Sequence, residues 1–416
     1  MDLEMMPTLP SAFPAYSLAE RDRRWKLARD LMDEQGVEAL LIFGEREHVT
    51  PDNYLTNDRP GMTVLFPRNG EMTALTWSTQ VIASHIEGRL RNDASWVSDL
   101  RTGRDASHIV ELIREKGLER SVIGVVGLEG YHVLYPHGTV PYALWARVLE
   151  TLPHARFKSL DVRFAELTLA KSEEELTVLR RSAEAGERMC AAMLEATRPG
   201  VTEADIYAAT MAACHRMGVN ATWMILQTGP DNSCWGPPAW TYRPQAPRTI
   251  KPGDIVMAEL FPTYGMLETQ QQMCIAVGEI DQVHQRCAAA ARRAYEIGLE
   301  VLRPGVTFGE VEEAMERPVV EVGGWHLTPM IHSLNPLQLA GRLGFGLDNL
   351  PLFNSYRRVQ GRLARFAEVE LRPGMAFAFE PNCHLGKRRI NIGGTVVVTE
   401  SGAEELNTLP NYLHRV

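Results

Sequence analysis

The chain has few cysteines for its 416 residues, and none of the six (Cys190, Cys214, Cys234, Cys274, Cys287, Cys383) forms a Cys-X-X-Cys pair. That spread excludes a disulfide framework and leads us to expect reduced thiols in a cytoplasmic protein. No uninterrupted apolar run reaches the roughly 18 residues of a membrane helix. The first residues, MDLEMMPTLPSAFPAY, are acidic and broken by proline, which is no secretory signal and is expected to form an extended arm. A basic surplus is also missing. The formal net charge of -9 argues against nucleic acid as a partner, because phosphate binding needs a basic surface. It leaves room for a local basic pocket that takes a small anion.

What is present fits a soluble globular chain: 45% hydrophobic and 23% charged residues are ordinary values. The length allows two domains with full cores. Residues 18–35 (LAERDRRWKLARDLMDEQ) read as an amphipathic helix stopped before Gly36. VEALLIF, residues 37–43, reads as a buried strand, and TVLFP and MTALTW as a strand pair across the turn at Arg68 to Gly70. SVIGVVG, residues 121–127, is another apolar strand. The alternation predicts an α/β domain over about 160 residues. Ser172 with Glu175 three residues on is a capping box opening a new helix, and we place the boundary near Thr168. Beyond it the pentapeptide RPGVT occurs twice, at residues 198–202 and 303–307. Each copy follows a helical stretch and precedes a helix opened by Thr202 or Thr307, which predicts two similar halves about a pseudo-dyad.

Several segments resemble the pita-bread hydrolases, a group that includes methionine and Xaa-Pro aminopeptidases, prolidases and the metal-free creatinases. The resemblance rests on AKSEEELTVLRRSAEAGERM, RPGVTEADI, KPGDIVMAELFPTYG, GMAFAFEP and INIGGTVVVTESGAEELN, in that order, and on VEALLIF and NYLTNDRPG nearer the N-terminus. It implies an α/β (α+β) fold. Residues 1–167 would be a creatinase/prolidase-like domain, and residues 168–416 a pita-bread catalytic domain with internal pseudo-two-fold symmetry.

The metallopeptidases of that group use two aspartates, a histidine and two glutamates to hold two ions. The matching positions here are Glu259, Gln270, His332, Glu380 and Gly393, so two of the anionic ligands are gone. A neutral amide is a poor ligand for a divalent pair. The resemblance therefore implies no resident cofactor or, alternatively, one zinc, manganese or iron ion on Glu259, His332 and Glu380. Phe261-Pro262 and Arg59-Pro60 are similar to creatinase features. In creatinases the Arg-Pro pair reaches into the partner subunit to hold a substrate carboxylate, so Arg59 implies a homodimer. Arg342 is similar to a creatinase arginine one residue out of register. The creatinase catalytic glutamate falls at Gln272, and no histidine occurs between His215 and His284, so creatine hydrolysis is not expected.

Read for themselves, His332, Glu259 and Glu380 are a general acid–base set. A buried His–Glu pair that merely holds two strands is the alternative. Gln270 and Gln272 share one face if they lie on a strand, and there they either bind a polar substrate or form an amide ladder. Trp235 and Tyr242 bound a Pro-rich loop that is an aromatic wall for a planar or cationic ligand or an ordinary packed lid. Arg59 and Arg342 are candidate carboxylate holders. Lys387, Arg388 and Arg389 are expected at a solvated hairpin tip. Cys383 and His384, adjacent on a strand, face opposite ways and make no nucleophile pair.

Three functions follow as expectations. The first is a metal-independent, creatinase-like hydrolase or lyase cleaving a C–N bond in a small carboxylate-bearing molecule. The second is a mononuclear, metal-dependent relative of the Xaa-Pro peptidases. The third is a non-catalytic ligand-binding protein.

Overall fold

A computed structural model describes residues 13–44, 50–90, 95–130, 137–231, 235–341 and 367–416. The chain divides into two compact units. One is Ala15–Thr168, and the other is Leu169–Val416 together with Met1–Pro14.

The first unit is built on a six-stranded mixed sheet. Its order is Asp99–Thr102, Thr73–Thr76, Thr63–Pro67, Ala39–Phe43, Val122–Val126, Arg156–Ser159. The helix Leu18–Gln35 starts where the Ser17 hydroxyl accepts the Glu20 N–H, and it stops at Gly36, whose φ of 65° is the left-handed conformation that closes a helix. Leu41, Leu65 and Val125 on the sheet pack against Ile109 and Ile113 of the helix Ala106–Glu115. Arg59 is exposed on the turn after the helix Pro51–Thr56. That turn is pinned from below by the buried Asp52 carboxylate, which accepts the N–H groups of Gly61 and Met62 at 2.9 and 2.8 Å. Burial lifts the Asp52 pKa to about 7 even though these N–H groups oppose the shift.

In the second unit the same pattern is made twice. The helices Glu173–Ala196 and Glu203–Arg216 precede a four-stranded sheet ordered Leu413–Arg415, Gln271–Ala276, Ile255–Leu260, Met224–Gly229. The helices Gln282–Val301 and Phe308–Glu321 precede a second, ordered Ile331–Ser333, Ala376–Phe379, Thr395–Val398, Ala403–Glu405. Ser172, Thr202 and Thr307 all carry full capping boxes, with Glu175, Asp205 and Glu310. The two RPGVT turns have equivalent surroundings. Gly200 N–H donates to Ile250 O at 2.9 Å and Gly305 N–H donates to Leu371 O at 3.0 Å, while Ile250 and Leu371 each donate back to the valine of the turn at 2.8 Å. The repeat is therefore a structural one, deeper than the pentapeptide.

Lys171, at the start of this unit, is buried and directs its ammonium to the carbonyls of Leu169, Leu334 and Asn335. Burial pulls its pKa down to about 7, with Glu175 opposing. Three carbonyl acceptors match the three donors of an ammonium. Lys171→Met leaves those carbonyls without this donor, and it is expected to cost about 3 kcal/mol, read as a lowered urea midpoint with unchanged slope.

Candidate functional site

Three strands of the second unit bring the site together. Glu259 lies on Ile255–Leu260, His332 is central in Ile331–Ser333, and Glu380 directly follows Ala376–Phe379. The last two strands pair antiparallel, with His332 opposite Ala378. Glu259 and Glu380 are mates across the pseudo-dyad, each nine residues after the pairing residue Ile250 or Leu371. The halves meet at an isolated antiparallel bridge between Gln272 and Gly393, where Gln272 N–H donates to Gly393 O at 2.7 Å. Gln272 follows Glu259 by thirteen residues, and Gly393 follows Glu380 by the same number. Gln270 and Asn391 are mates in the same way.

The triad is closed to solvent, with His332 1%, Glu380 3% and Glu259 5% exposed. One ligand atom from each residue lies within 4.8 Å of the others. His332 Nε2 is 2.9 Å from Glu380 Oε1, and its Nδ1 is 3.0 Å from the Ser333 carbonyl. Both ring nitrogens therefore face acceptors, which favours the imidazolium. Burial pulls the His332 pKa down, but Glu380 and the Ser333 carbonyl outweigh it and the net shift is upward. Glu259 is driven well above the usual carboxylate range by burial and then by the Glu380 charge, with which it shares a hydrogen bond. Gln272 Nε2 donates to Glu259 Oε1 at 2.9 Å and partly offsets that rise. Burial and the neighbouring carboxylate thus favour the protonated form of Glu259.

The amides around the set form a relay. Asn391 Nδ2 donates to Gln272 Oε1 at 3.1 Å, and Gln270 Nε2 donates to Glu268 Oε1 at 3.0 Å. Asn335 clamps the Glu268 backbone from both sides, at 3.0 and 2.8 Å. Sequence reading singles out neither Asn391 nor Glu268. The signal for Asn391 was its position eleven residues after Glu380, as Gln270 stands after Glu259.

Trp235 carries the Arg389 guanidinium over its ring at 4.4 Å. Tyr242 is 59% exposed and faces Arg243, so it is not brought to the triad. Arg59 belongs to the other unit, and Arg342 lies outside the described residues. The expectation of a solvated basic hairpin tip fails for Arg389. The hairpin of Asn382–Leu385 with Arg388–Asn391 sets Arg389 opposite His384 and turns it fully inward, where it donates to the Thr328 hydroxyl at 3.2 Å. Cys383 and His384 do part company: His384 stacks on Trp325 at 3.9 Å, while the free thiol of Cys383 hydrogen-bonds that of Cys287. A cavity of about 380 Å³ opens between Ala276, Gln285, Arg292 and Tyr412, and no triad residue lines it.

Two ions do not suit this donor set. At Gly393 φ is 133°, and a Cβ built there would stand 2.0 Å from the Phe379 carbonyl oxygen, so no carboxylate residue can occupy that backbone. Gln270 offers an amide whose N–H is already given to Glu268. One ion does suit it, because a histidine and two carboxylates converge within one coordination sphere.

Comparison with known proteins places the chain. The profile of metallopeptidase family M24 matches residues 177–400. A probable dipeptidase PepE of Mycobacterium tuberculosis is 29% identical over 250 residues, which is 59% of this chain and 60% of that protein. The match thus spans less than two thirds of that relative's length. A creatinase of a Bacillus species is 21% identical over 413 residues, covering 95% of this chain and 92% of the other. Among solved structures, an X-Pro aminopeptidase from Thermotoga maritima superposes with a TM-score of 0.71 at 18% identity, covering 94% of this chain and 99% of that one. The architecture is the two-domain pita-bread fold. With more than half of its length matched by the family profile, the chain belongs to metallopeptidase family M24.

Proposed function

We propose that the protein hydrolyses an amide bond in a small, carboxylate-bearing peptide, at a centre for one divalent ion made by Glu259, His332 and Glu380. The observation that carries this reading is the convergence of those three donors within 4.8 Å in a site where Gly393 excludes the last carboxylate of a second ion. The curated relative at 29% identity is named a probable dipeptidase, which favours a peptide over the creatinase-like substrate first expected. An ion there would supply Lewis-acid polarisation of the scissile carbonyl. Gln272 fixes the orientation of Glu259 through its 2.9 Å N–H bond. His332 would offer the ion its Nε2, with the ring oriented by the Nδ1 contact to the Ser333 carbonyl at 3.0 Å. Arg59 of the partner subunit would take the substrate carboxylate in a homodimer, and a monomer at working concentration removes it from the site.

A second reading dispenses with the ion, and the hydrogen bond between Glu259 and Glu380 favours it. Two buried carboxyl groups, with Glu259 driven toward its protonated form, and an imidazole whose pKa is raised are the parts of an acid–base site that needs no cation. Metal content separates the two. Protein purified without chelator is expected to carry about one equivalent of zinc, manganese or iron per chain, and chelation is expected to abolish dipeptide cleavage. Full turnover in metal-free protein would establish the second reading instead.

A further inference from the structure

Among the described residues four histidines are buried: His284, His326, His332 and His384. Three of them face an acceptor. Asp281 stands 3.0 Å from His284 Nδ1, the Thr328 carbonyl 2.8 Å from His326 Nδ1, and Glu380 2.9 Å from His332 Nε2. His384 differs: it is 0% exposed, and neither of its ring nitrogens has a hydrogen-bond partner among the described residues. A buried polar ring left unmet costs free energy, and a ligand that meets it recovers that cost. The hairpin sets a guanidinium beside it. His384 and Arg389 are cross-strand partners, so both project from one face with Cβ atoms about 5 Å apart. Thr328 accepts from Arg389 at 3.2 Å, and the half-buried rings of Trp235 and Trp325 lie against Arg389 and His384 at 4.4 and 3.9 Å. Burial, and then nearby Arg389 and His326, push the His384 pKa down to about 2. The imidazole is therefore a neutral N–H donor next to a guanidinium, and together they suit an oxyanion. The same face continues to the triad. Its next cross-strand pair is Asn382 and Asn391. Asn382 donates to the Glu380 carbonyl at 2.8 Å, and Asn391 donates to Gln272, which holds Glu259. Two residues of strand advance about 7 Å, within reach of a substrate side chain whose backbone lies at the triad.

We infer that His384 and Arg389 form a subsite for the carboxylate of an acidic substrate side chain, walled by Trp235 and Trp325. The inference rests on the proposed hydrolytic reading and adds a preference to it, for aspartyl or glutamyl peptides over their amides. A carboxylate accepts through both oxygens, from guanidinium and imidazole alike, whereas an amide turns N–H groups toward donors. The carboxylate assigned to Arg59 of the partner subunit is the one every dipeptide carries, so the two are distinct.

The test uses the full-length protein with dipeptide pairs of equal shape: Asp-Ala with Asn-Ala, Ala-Asp with Ala-Asn, and their glutamyl and glutaminyl counterparts. Calorimetric binding and cleavage are both measured. In at least one position the acidic member is expected to bind roughly 10- to 100-fold more tightly, the range for a hydrogen bond to a charged group. In His384→Phe, which keeps a ring against Trp325, and in Arg389→Met as a second variant, that ratio is expected to fall to about 3-fold or less. Equal binding of both members in every pair overturns the inference, as does binding of neither, and the wild-type comparison decides this even where a variant fails to fold. A ratio that survives in either folded variant overturns it as well. Cleavage of all pairs without preference leaves the hydrolase standing and removes the subsite. Acid-selective binding that the variants lose, without cleavage under any metal, does the reverse.

Discussion

His332→Ala is expected to lower kcat/KM on a cleaved dipeptide by about 1,000-fold. The imidazole is the link between the two functions of the site. Its Nε2 holds the proton 2.9 Å from Glu380, and its ring is oriented by the Ser333 carbonyl. It is also one of the three donors that an ion would use. Removing it therefore damages either version of the chemistry, and in the mononuclear version bound metal falls as well. A stability cost of about 3 kcal/mol comes with it, since Glu380 loses its buried partner, so the variant is assayed well below its unfolding temperature. Calorimetry on the same variant separates catalysis from mere binding. A protein that only holds a ligand keeps its affinity within a few-fold when a proton carrier is lost, and it has no turnover to lose. Retained affinity with wild-type protein inactive on every dipeptide would support that non-catalytic role.

Much of this was legible because local signals and long-range pairing agree. Ser17 and Gly36 bound the first helix as their chemistry dictates, and three capping boxes mark the helix starts of the second unit. Glu259, His332 and Glu380 were legible through the resemblance to the pita-bread hydrolases, whose ligand positions they occupy. The amides were harder. Asn391 and Gln272 carry no charge and no periodicity, and their pairing appears only once strand register sets them side by side. Arg389 misled for the opposite reason. A run of three basic residues reads as solvated, yet a strand turns alternate side chains to opposite faces, so Arg389 is buried while Arg388 reaches Asp281 at the surface. The wider repeat was in the sequence too, as KPGDIVMAE and RPGMAFAFE. It was masked because only Pro-Gly and the final glutamate survive in both copies.

Gly393→Glu, which would return the lost carboxylate, is expected to fail as a restoration. The position holds φ at 133°, where side chains are strained, and a Cβ would lie 2.0 Å from the Phe379 carbonyl oxygen and 3.1 Å from Pro381 Cδ. Relief requires moving the segment that carries Glu380, and with it the bridge to Gln272 that joins the halves. Strain of this kind costs at least about 3 kcal/mol, a fall in melting temperature on the order of 10 °C. Metal content is expected not to rise above that of the wild type, because the added carboxylate cannot reach the cluster without displacing one of its present members. Gly393→Ala separates the two effects: it adds the same Cβ without any ligand, so a matching loss of stability assigns the cost to the backbone. A stable Gly393→Glu protein that binds two ions would mean that this strand yields easily. The single-ion site would then be a matter of side-chain identity alone. If both variants lose stability together, the exclusion of a carboxylate at this position is built into the path of the main chain.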